Sequence, residues 1–238
     1  MGKMTLRDLM RRLHLPPAPD RRAPTLERIA ELARAHAWRG GRLLDLGCGA
    51  LRLEGCLARM DYEATAAANV RGDAHDLPFA DGAFSLVVCK AVLEHVSDFR
   101  RAIAEIARVL QPGGEIWVEV PWFYPFHPSD AGERHDYVRL SHTAYDVEFA
   151  AFERIAFGPA LGVGTTLSLA LPEYFALFVS MRDHTALYHN ARNLLTWAFY
   201  PLRWTEALLA RRRFHERIAG GFYFRGRKRA APAGSGPR

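Results

Sequence analysis

A short apolar run ends in a glycine-containing motif near residue 45. Residues 43–49 are Leu-Leu-Asp-Leu-Gly-Cys-Gly. In an open α/β sheet, ligands bind beyond the carboxyl ends of the strands, and glycine there lets the backbone approach the ligand closely. The dinucleotide-binding fingerprint requires a third glycine three positions after Gly49, but that residue is Arg52. The motif therefore predicts a ligand at the end of a strand and disfavours a nicotinamide or flavin cofactor.

The pattern of apolar residues predicts the elements that position this motif. Residues 25–38 and 98–110 repeat apolar side chains at helical spacing, whereas 84–89 is a continuous apolar run typical of a central strand. Strands that alternate with helices predict an α/β fold with a doubly wound, mostly parallel sheet. Further strands are predicted at 42–46, 62–68, 70–74, 115–120, 152–157 and 221–228, and further helices at 5–13, 52–60, 141–150 and through most of 165–213.

The same pattern divides the chain into five segments. A basic, proline-rich segment spans residues 1–24, and the core domain spans 25–160. A helical insertion at 161–219 precedes the last strand of the core at 220–229. Residues 230–238 are mostly alanine, glycine and proline, and we expect them to form a disordered tail.

Composition narrows the class of protein. The chain has 238 residues, a net charge of +6 and three cysteines, and its length suits one α/β domain with an insertion. An odd number of cysteines without paired spacing disfavours a disulfide framework or a zinc site. We recognise no secretory leader and no membrane-spanning run, and expect a cytoplasmic protein. The basic ends are compatible with nucleic acid or an anionic membrane surface, but a solvated basic surface is the favoured interpretation.

Four further segments follow the glycine motif in order. They are 72–79 (Gly-Asp-Ala-His-Asp-Leu-Pro-Phe), 81–88 (Asp-Gly-Ala-Phe-Ser-Leu-Val-Val), 93–96 (Leu-Glu-His-Val) and 108–114 (Arg-Val-Leu-Gln-Pro-Gly-Gly). In this order and spacing, residues 40–121 resemble the type 11 family of class I S-adenosylmethionine-dependent methyltransferases.

A narrower resemblance extends beyond residue 121. Residues 121–127 (Pro-Trp-Phe-Tyr-Pro-Phe-His), 135–139 (His-Asp-Tyr-Val-Arg) and 221–228 (Gly-Phe-Tyr-Phe-Arg-Gly-Arg-Lys) are similar to a bacterial subgroup often linked to cell-surface saccharide or lipid pathways. The resemblance implies methyl transfer to a small-molecule or to a saccharide- or lipid-linked acceptor.

The family resemblance also implies a seven-stranded Rossmann-like sheet and S-adenosyl-L-methionine as cofactor. Asp73 would accept a hydrogen bond from the adenine amino group, and the backbone N–H of Ala74 would donate one to the adenine ring. The remaining implied cofactor contacts are at the methionine end: Asp45, Gly47, Cys48, Gly49, Cys89 and Lys90.

Two positions depart from the family pattern. The glycine that is usual two positions after Gly49 is replaced by Leu51, and no acid clearly matches the one that holds the ribose hydroxyls at the end of the second strand. Asp61 and Glu63 are the nearest acids, but they fall at the start of the strand predicted at 62–68. This strand and its accompanying helix are both shorter than the family pattern would have them. These departures leave an alternative open, namely a degenerate binding or regulatory module with weak or no cofactor binding.

Candidate catalytic residues lie after the strand at 115–120. Alignment of the acceptor supplies most of the catalysis in methyl transfer, and a base is needed only for a hydroxyl or similar group. We predict His135 as that base with Asp136 beside it; alternatively, His135, Asp136 and Arg139 fix the loop. A metal site formed by His127, Asp130, Glu133 and His135 matches no standard spacing, so no metal is predicted.

The late helices carry many aromatic residues. They would cover a large apolar acceptor, contact the inner face of a membrane peripherally, or pack as ordinary core. Nucleic acid is not the favoured acceptor, because residues 90–93 (Lys-Ala-Val-Leu) lack the Asn/Asp-Pro-Pro-Tyr/Phe motif of base-flipping methyltransferases.

Overall fold

The computed structural model describes residues 24–49, 52–63, 65–127, 135–179 and 186–230. The chain divides into two compact units. One comprises Pro24–Trp122, Phe126–Ala160 and the chain from Gly221, and the other comprises Phe123–Pro125 and Leu161–Gly220. The predicted N-terminal helix, Leu51, Asp130, Glu133 and the predicted tail after residue 230 lie outside the described residues.

A seven-stranded sheet forms the centre of the first unit, as the sequence predicted. Its strand order is β3-β2-β1-β4-β5-β7-β6. The pairs from β3 through β5 are parallel, whereas β7 runs antiparallel to β5. The sheet is therefore doubly wound and mostly parallel, with its order reversing at β1 and β4. The strands are β1 (Leu43–Leu46), β2 (Ala58–Asp61), β3 (Val70–Arg71), β4 (Phe84–Lys90), β5 (Leu110–Pro121), β6 (Phe152–Leu161) and β7 (Gly221–Lys228).

Two helices of the first unit bury apolar faces. Helix α1 (Pro24–Trp38) places Ile29, Leu32 and Ala33 in a cluster with side chains of β1, β4, β5 and β7. Helix α2 (Phe99–Val109) begins where the Asp98 carboxylate accepts a hydrogen bond from the backbone N–H of Arg101 at 3.0 Å. Both helices were predicted from their 3.6-residue periodicity, which the burial confirms.

Strand β2 differs from the sequence prediction. The helix predicted at 52–60 and the strand predicted at 62–68 are both wrong, because the chain turns and then pairs with β1 as early as Ala58. Along β2 the side chains alternate between buried and half-buried positions. Arg59 stabilises this arrangement by donating from Nε to the carbonyl of Ala67 at 2.7 Å. The residue types in β2 favour a helix, so the sequence pattern did not predict this four-residue strand. Its position is determined by pairing with β1.

Aromatic side chains pack where β7 lies beside the short helix α3 (Ala144–Glu148). The buried Tyr145 hydroxyl donates to the carbonyl of Phe222 at 2.9 Å, which ties α3 to β7. Phe149 and Phe224 stack with ring centroids 4.9 Å apart.

The second unit is helical, as predicted for residues 165–213. It contains α4 (Val163–Val179), α5 (Ala186–Phe199) and α6 (Glu206–Leu209). The Glu206 carboxylate accepts a hydrogen bond from the backbone N–H of Thr165 at 3.1 Å, which satisfies a donor in the first turn of α4. Within the described residues, no helix combines the length and apolar character needed to cross a bilayer.

Candidate functional site

The turn after β1 is held by hydrogen bonds to β2 and by its glycines. The backbone N–H of Gly47 donates to the carbonyl of Met60 at 2.8 Å, and both Gly47 and Gly49 have positive φ, at 69° and 50°. A Cβ on Gly47 would overlap the side chain of Val92. Among the described residues, a Cβ on Gly49 would meet nothing within 4 Å. Gly47 is therefore required by packing, whereas Gly49 leaves open space at the carboxyl end of β1.

Asp45 is a buried acid on β1, close to this turn. It is 4% exposed, and its Oδ2 has no hydrogen-bond partner among the described residues. Burial raises the pKa of Asp45 to about 7, although the positive charge of Arg59 opposes the shift. A carboxylate oxygen that is buried and unpaired is costly unless a donor or cation reaches it. Asp45 thus fits a cationic group bound at this end of the sheet.

Asp61 is the last residue of β2, and this corrects the sequence interpretation. That interpretation found no acid at the end of the second strand because it began the strand at residue 62. Asp61 Oδ2 accepts a hydrogen bond from the backbone N–H of Gly49 at 2.8 Å, and its Oδ1 accepts one from Glu63 at 3.2 Å. Asp61 therefore supports the Gly49 turn and stands where neighbouring parallel strands end together.

Asp73 lies in a turn that follows β3. Its Oδ1 accepts hydrogen bonds from the backbone N–H of His75 at 2.9 Å and pairs with His75 Nδ1 at 2.7 Å. The backbone hydrogen bond from His75 is the main reason that the pKa of Asp73 is lowered. Asp73 is half-exposed and Ala74 is buried. The predicted contacts of Asp73 and Ala74 with adenine stay predictions.

Three other predicted contacts surround the ends of β1 and β4. Burial raises the pKa values of Cys48 and of the fully buried Cys89, so both thiols are neutral at physiological pH. Cys89 pairs in register with Leu46, which places it beside the end of β1. Lys90 ends β4 and forms an ion pair with Glu119 at 2.8 Å. The geometry suits the cysteines as neutral packing groups; the predicted proximity of Cys89 and Lys90 to methionine stays a prediction.

A residue that the sequence analysis passed over shapes the exit from β4. Ala91 has a φ of 53°, a left-handed conformation that is unfavourable for a residue with a Cβ. Its backbone N–H donates to the carbonyl of Glu119 at 3.0 Å. The strained residue turns the chain so that Val92 lies against Gly47. Alanine gives no sequence signal for this conformation.

The segment at 135–139 contains the predicted catalytic residues. Burial raises the pKa of Asp136, but hydrogen bonds from Arg139 and from the backbone of His127 outweigh that effect and lower it overall. Asp136 is thus a fixed anion held by Arg139, which agrees with the alternative of a loop-stabilising role. The ring of His135 stacks with Tyr137 at a centroid distance of 5.5 Å. The role of His135 as a base stays a prediction.

The structure also groups three side chains that the sequence analysis kept apart. Glu94 and His95 lie in a 3-10 turn after β4, and His127 follows β5. One ligand atom of each lies within 4.8 Å of the others. Glu94 and His95 were expected to cap the next helix or shape the pocket, and His127 was considered only with residues of its own segment. The shared carboxyl edge of β4 and β5 was the signal that could have grouped these three residues.

Comparison with known proteins finds relatives that are described as methyltransferases. Residues 44–118 match a family model described as a methyltransferase domain. A putative methyltransferase of Encephalitozoon cuniculi is 41% identical over 92 residues, covering 33% of this chain and 44% of that protein. An O-methyltransferase of Aspergillus nomiae is 35% identical over 107 residues, covering 35% of this chain and 48% of that protein. The chain spans less than half the length of each of these relatives.

Solved structures show the same fold at low sequence identity. The (4+2)-cyclase SpnF has a TM-score of 0.52 and 21% identity, with 90% of this chain and 86% of that chain covered. The MccD protein also has a TM-score of 0.52, with 14% identity, 88% of this chain and all of that chain covered. Because one of these proteins is a cyclase, the fold alone does not identify the reaction.

Proposed function

This chain carries a class I, S-adenosylmethionine-dependent methyltransferase domain of the type 11 family, and on that premise we propose that it methylates a small-molecule or a saccharide- or lipid-linked acceptor. When bound, S-adenosylmethionine supplies a methyl group already activated on a sulfonium. The chain itself must bind the cofactor, align the acceptor and exclude water.

The observation that carries the proposal is Asp45 Oδ2, which has no hydrogen-bond partner in the part of the chain that the structure describes. This oxygen is buried at the end of the sheet where class I domains bind the methionine end of the cofactor. The methionine ammonium is a cation of the kind that a buried carboxylate requires. In the adjacent turn, none of the residues that the structure describes would contact a Cβ on Gly49. The residues present therefore fit this cofactor.

Asp61 is the proposed partner of the ribose hydroxyls. It ends β2, next to the end of β1, and its carboxylate is already oriented by the Gly49 turn. Hydroxyl groups donate to a carboxylate in charge-assisted hydrogen bonds, each contributing about 1.5–3 kcal/mol. This assignment removes one of the two reasons for considering a degenerate module.

The residues around the turn and the 135–139 segment have positioning roles in this proposal. Val92 keeps the Gly47 turn in place, and the Asp136–Arg139 ion pair holds the chain that follows β5. If the acceptor is a hydroxyl, His135 is the proposed proton acceptor, since Asp136 is already engaged by Arg139.

An acceptor with an apolar part is proposed because the second unit exposes large apolar side chains. Tyr174, Phe175 and Phe178 form one exposed group whose rings contact one another. Contiguous exposed apolar surface often marks a binding or membrane-contacting region. The same surface supports peripheral contact with a membrane as part of the proposal. The most exposed of these side chains are Trp204, Phe178, Leu194, Leu208, Leu187, Phe214, Tyr174 and Leu177.

A pair of glycine substitutions tests the proposed cofactor site. Gly49 and Gly40 both have positive φ, and a Cβ on either would meet no atom of the described part of the chain within 4 Å. Gly49→Ala and Gly40→Ala should therefore cost similar stability, about 1–2 kcal/mol for a left-handed alanine. Only Gly49→Ala should weaken binding of S-adenosylhomocysteine, measured by isothermal titration calorimetry, by about tenfold or more because its methyl group occupies the space for the cofactor.

Thermal denaturation of both variants controls for unfolding. Equal binding by Gly49→Ala and the unsubstituted chain would place the cofactor elsewhere. An equal loss of binding in Gly40→Ala would mean that strain, rather than occupied space, weakens the affinity.

A further inference from the structure

Glu94 is a buried acid that the proposed cofactor site does not use. Glu94 is 1% exposed, and neither Oε1 nor Oε2 has a hydrogen-bond partner among the described residues. Buried carboxylates are normally paired, hydrogen-bonded or bound to a metal. Two unsatisfied oxygens on one buried side chain therefore indicate a missing ligand.

Two imidazole nitrogens converge on one of these oxygens. His127 Nε2 lies 3.8 Å from Glu94 Oε1, and His95 Nε2 lies 4.0 Å from the same oxygen. Both distances are too long for hydrogen bonds. Two ligands bound about 2.1 Å from a tetrahedral ion would be roughly 3.4 Å apart. The two distances to Glu94 Oε1 are close to that spacing, and one ligand atom of each of the three residues lies within 4.8 Å of the others. Side-chain movements on the order of 1 Å would therefore bring the three to a common ion.

The ring nitrogen of His95 that points away from Glu94 makes the contact expected of a metal-bound histidine. Its Nδ1 lies 2.5 Å from the carbonyl oxygen of His135, and a carbonyl can only accept a hydrogen bond. Nδ1 of His95 therefore carries the proton, so in the neutral ring Nε2 directs its lone pair towards Glu94. A hydrogen bond from the second ring nitrogen to a carbonyl is the usual outer contact of a metal-ligating histidine.

The second ring nitrogen of His127, Nδ1, has an acidic neighbour. Nδ1 of His127 lies 3.7 Å from Asp136 Oδ2, and the same carboxylate oxygen accepts a hydrogen bond from the His127 backbone at 2.9 Å. Arg139 fixes the Asp136 carboxylate from the other side. The backbone N–H of Tyr137 donates to the carbonyl of Glu94 at 2.6 Å, which ties this segment to the 3-10 turn. The arrangement resembles a carboxylate–histidine–metal relay.

We propose that Glu94, His95 and His127 bind a divalent transition-metal ion such as Zn²⁺. Two imidazole nitrogens and a carboxylate oxygen suit zinc and its neighbours better than Mg²⁺ or Ca²⁺, which prefer oxygen ligands throughout. The site differs from the set considered in the sequence analysis, with which it shares only His127. Three protein ligands leave a fourth position open, as in catalytic zinc sites.

The open position connects the ion to acceptor binding. The ligands follow β4 and β5, at the edge of the sheet where the glycine turn after β1 also lies. An oxygen of the acceptor, from a hydroxyl or a phosphate, would bind the ion there and be oriented by it. This role rests on the proposed function, whereas metal binding itself does not.

Metal content of the full chain tests the site directly. The untagged protein is stripped with a chelator, incubated with ZnCl₂, passed through a desalting column and analysed by elemental analysis. About one zinc per chain is expected to remain. Substituting Co²⁺ should produce visible ligand-field absorption that Glu94→Gln and His127→Ala both weaken. Zinc affinity should fall in each variant by more than the roughly 10–100-fold cost of losing an outer-shell partner.

His36→Ala is the matched control. His36 Nε2 lies 3.8 Å from Glu115 Oε2, the same spacing as at His127, but Glu115 is already bound by Arg225 and Arg227. Zinc binding should therefore be unchanged in His36→Ala. Thermal denaturation shows whether each variant is folded, and His95→Ala replaces any variant that is not.

Retention of no zinc by the unsubstituted chain would overturn the proposal, as would equal zinc affinity in Glu94→Gln. An equal loss in His36→Ala would also overturn it, since binding would then be nonspecific. Titration of the metal-free protein with S-adenosylhomocysteine is a separate measurement, so the proposed function can stand if the metal site fails.

Discussion

Asp45 is ionised in the folded state only at the cost of stability, and this cost can be measured by replacing it with asparagine. Burial raises the pKa of Asp45 from 3.8 to about 7. The folded state therefore holds the proton more tightly than the unfolded state. The free energy of unfolding falls as the pH rises from about 4 to about 7, and the stabilisation present at low pH is lost above the folded-state pKa.

The magnitude follows from the size of the shift. Each pKa unit corresponds to about 1.4 kcal/mol, so the full penalty above pH 7 is about 4 kcal/mol. Part of this penalty is already present at pH 5, because the unfolded carboxyl is mostly ionised there. We expect the stability of Asp45→Asn, relative to the unsubstituted chain, to rise by about 2.5 kcal/mol between pH 5 and pH 8.

Urea denaturation followed by circular dichroism at pH 5, 6, 7 and 8 measures this difference. Asp76→Asn, at an exposed position, controls for the loss of one negative charge. A difference between Asp45→Asn and the unsubstituted chain that is the same at every pH would refute the reasoning. The same substitution should weaken S-adenosylhomocysteine binding, because the proposed partner of the ammonium group is lost.

Three further predictions follow from single positions in the fold. Ala91→Gly should raise the melting temperature, reflecting a gain of about 1 kcal/mol as left-handed strain is relieved; a lower melting temperature would contradict the strain. Asp61→Asn should weaken S-adenosylhomocysteine binding about 10–100-fold. Calorimetry should also show that the affinity lost through Asp61→Asn and the affinity lost with a 2′-deoxyribose analogue of the ligand do not add when the two changes are combined. Tyr145→Phe should lower the free energy of unfolding by about 1–2 kcal/mol in urea, because the buried carbonyl of Phe222 loses its donor; unchanged stability would show that the hydrogen bond contributes nothing.

Periodicity predicted the parts of the fold that have strong local patterns. The helical spacing of Ile29 and Ala33 and the continuous apolar run at 84–89 each specify one element regardless of neighbours. Strand β2 has no such pattern. Its four residues include the good helix formers Ala58, Arg59 and Met60, and only pairing with β1 makes them a strand. The error also hid Asp61, since a strand predicted to begin at residue 62 leaves Asp61 before its start and not at its end.

The residues of the candidate site likewise divide into those that the sequence predicted and those that only the fold brings together. Asp45, Gly47 and Gly49 were identified from the sequence because they are adjacent and follow an apolar strand. Glu94 and His127 come from segments after different strands, and only the parallel pairing of β4 and β5 brings their side chains together. The left-handed conformation of Ala91 and the lack of a partner for Asp45 Oδ2 among the described residues arise from packing, for which the sequence carries no local signal.

Calorimetric titration of the full chain with S-adenosylhomocysteine tests the central claim most directly. We predict saturable binding of about one molecule per chain, with affinity that increases as the pH rises towards 8 because the ammonium group needs Asp45 ionised. No binding at millimolar ligand would contradict the proposed methyltransferase function and favour a binding or regulatory role for the fold.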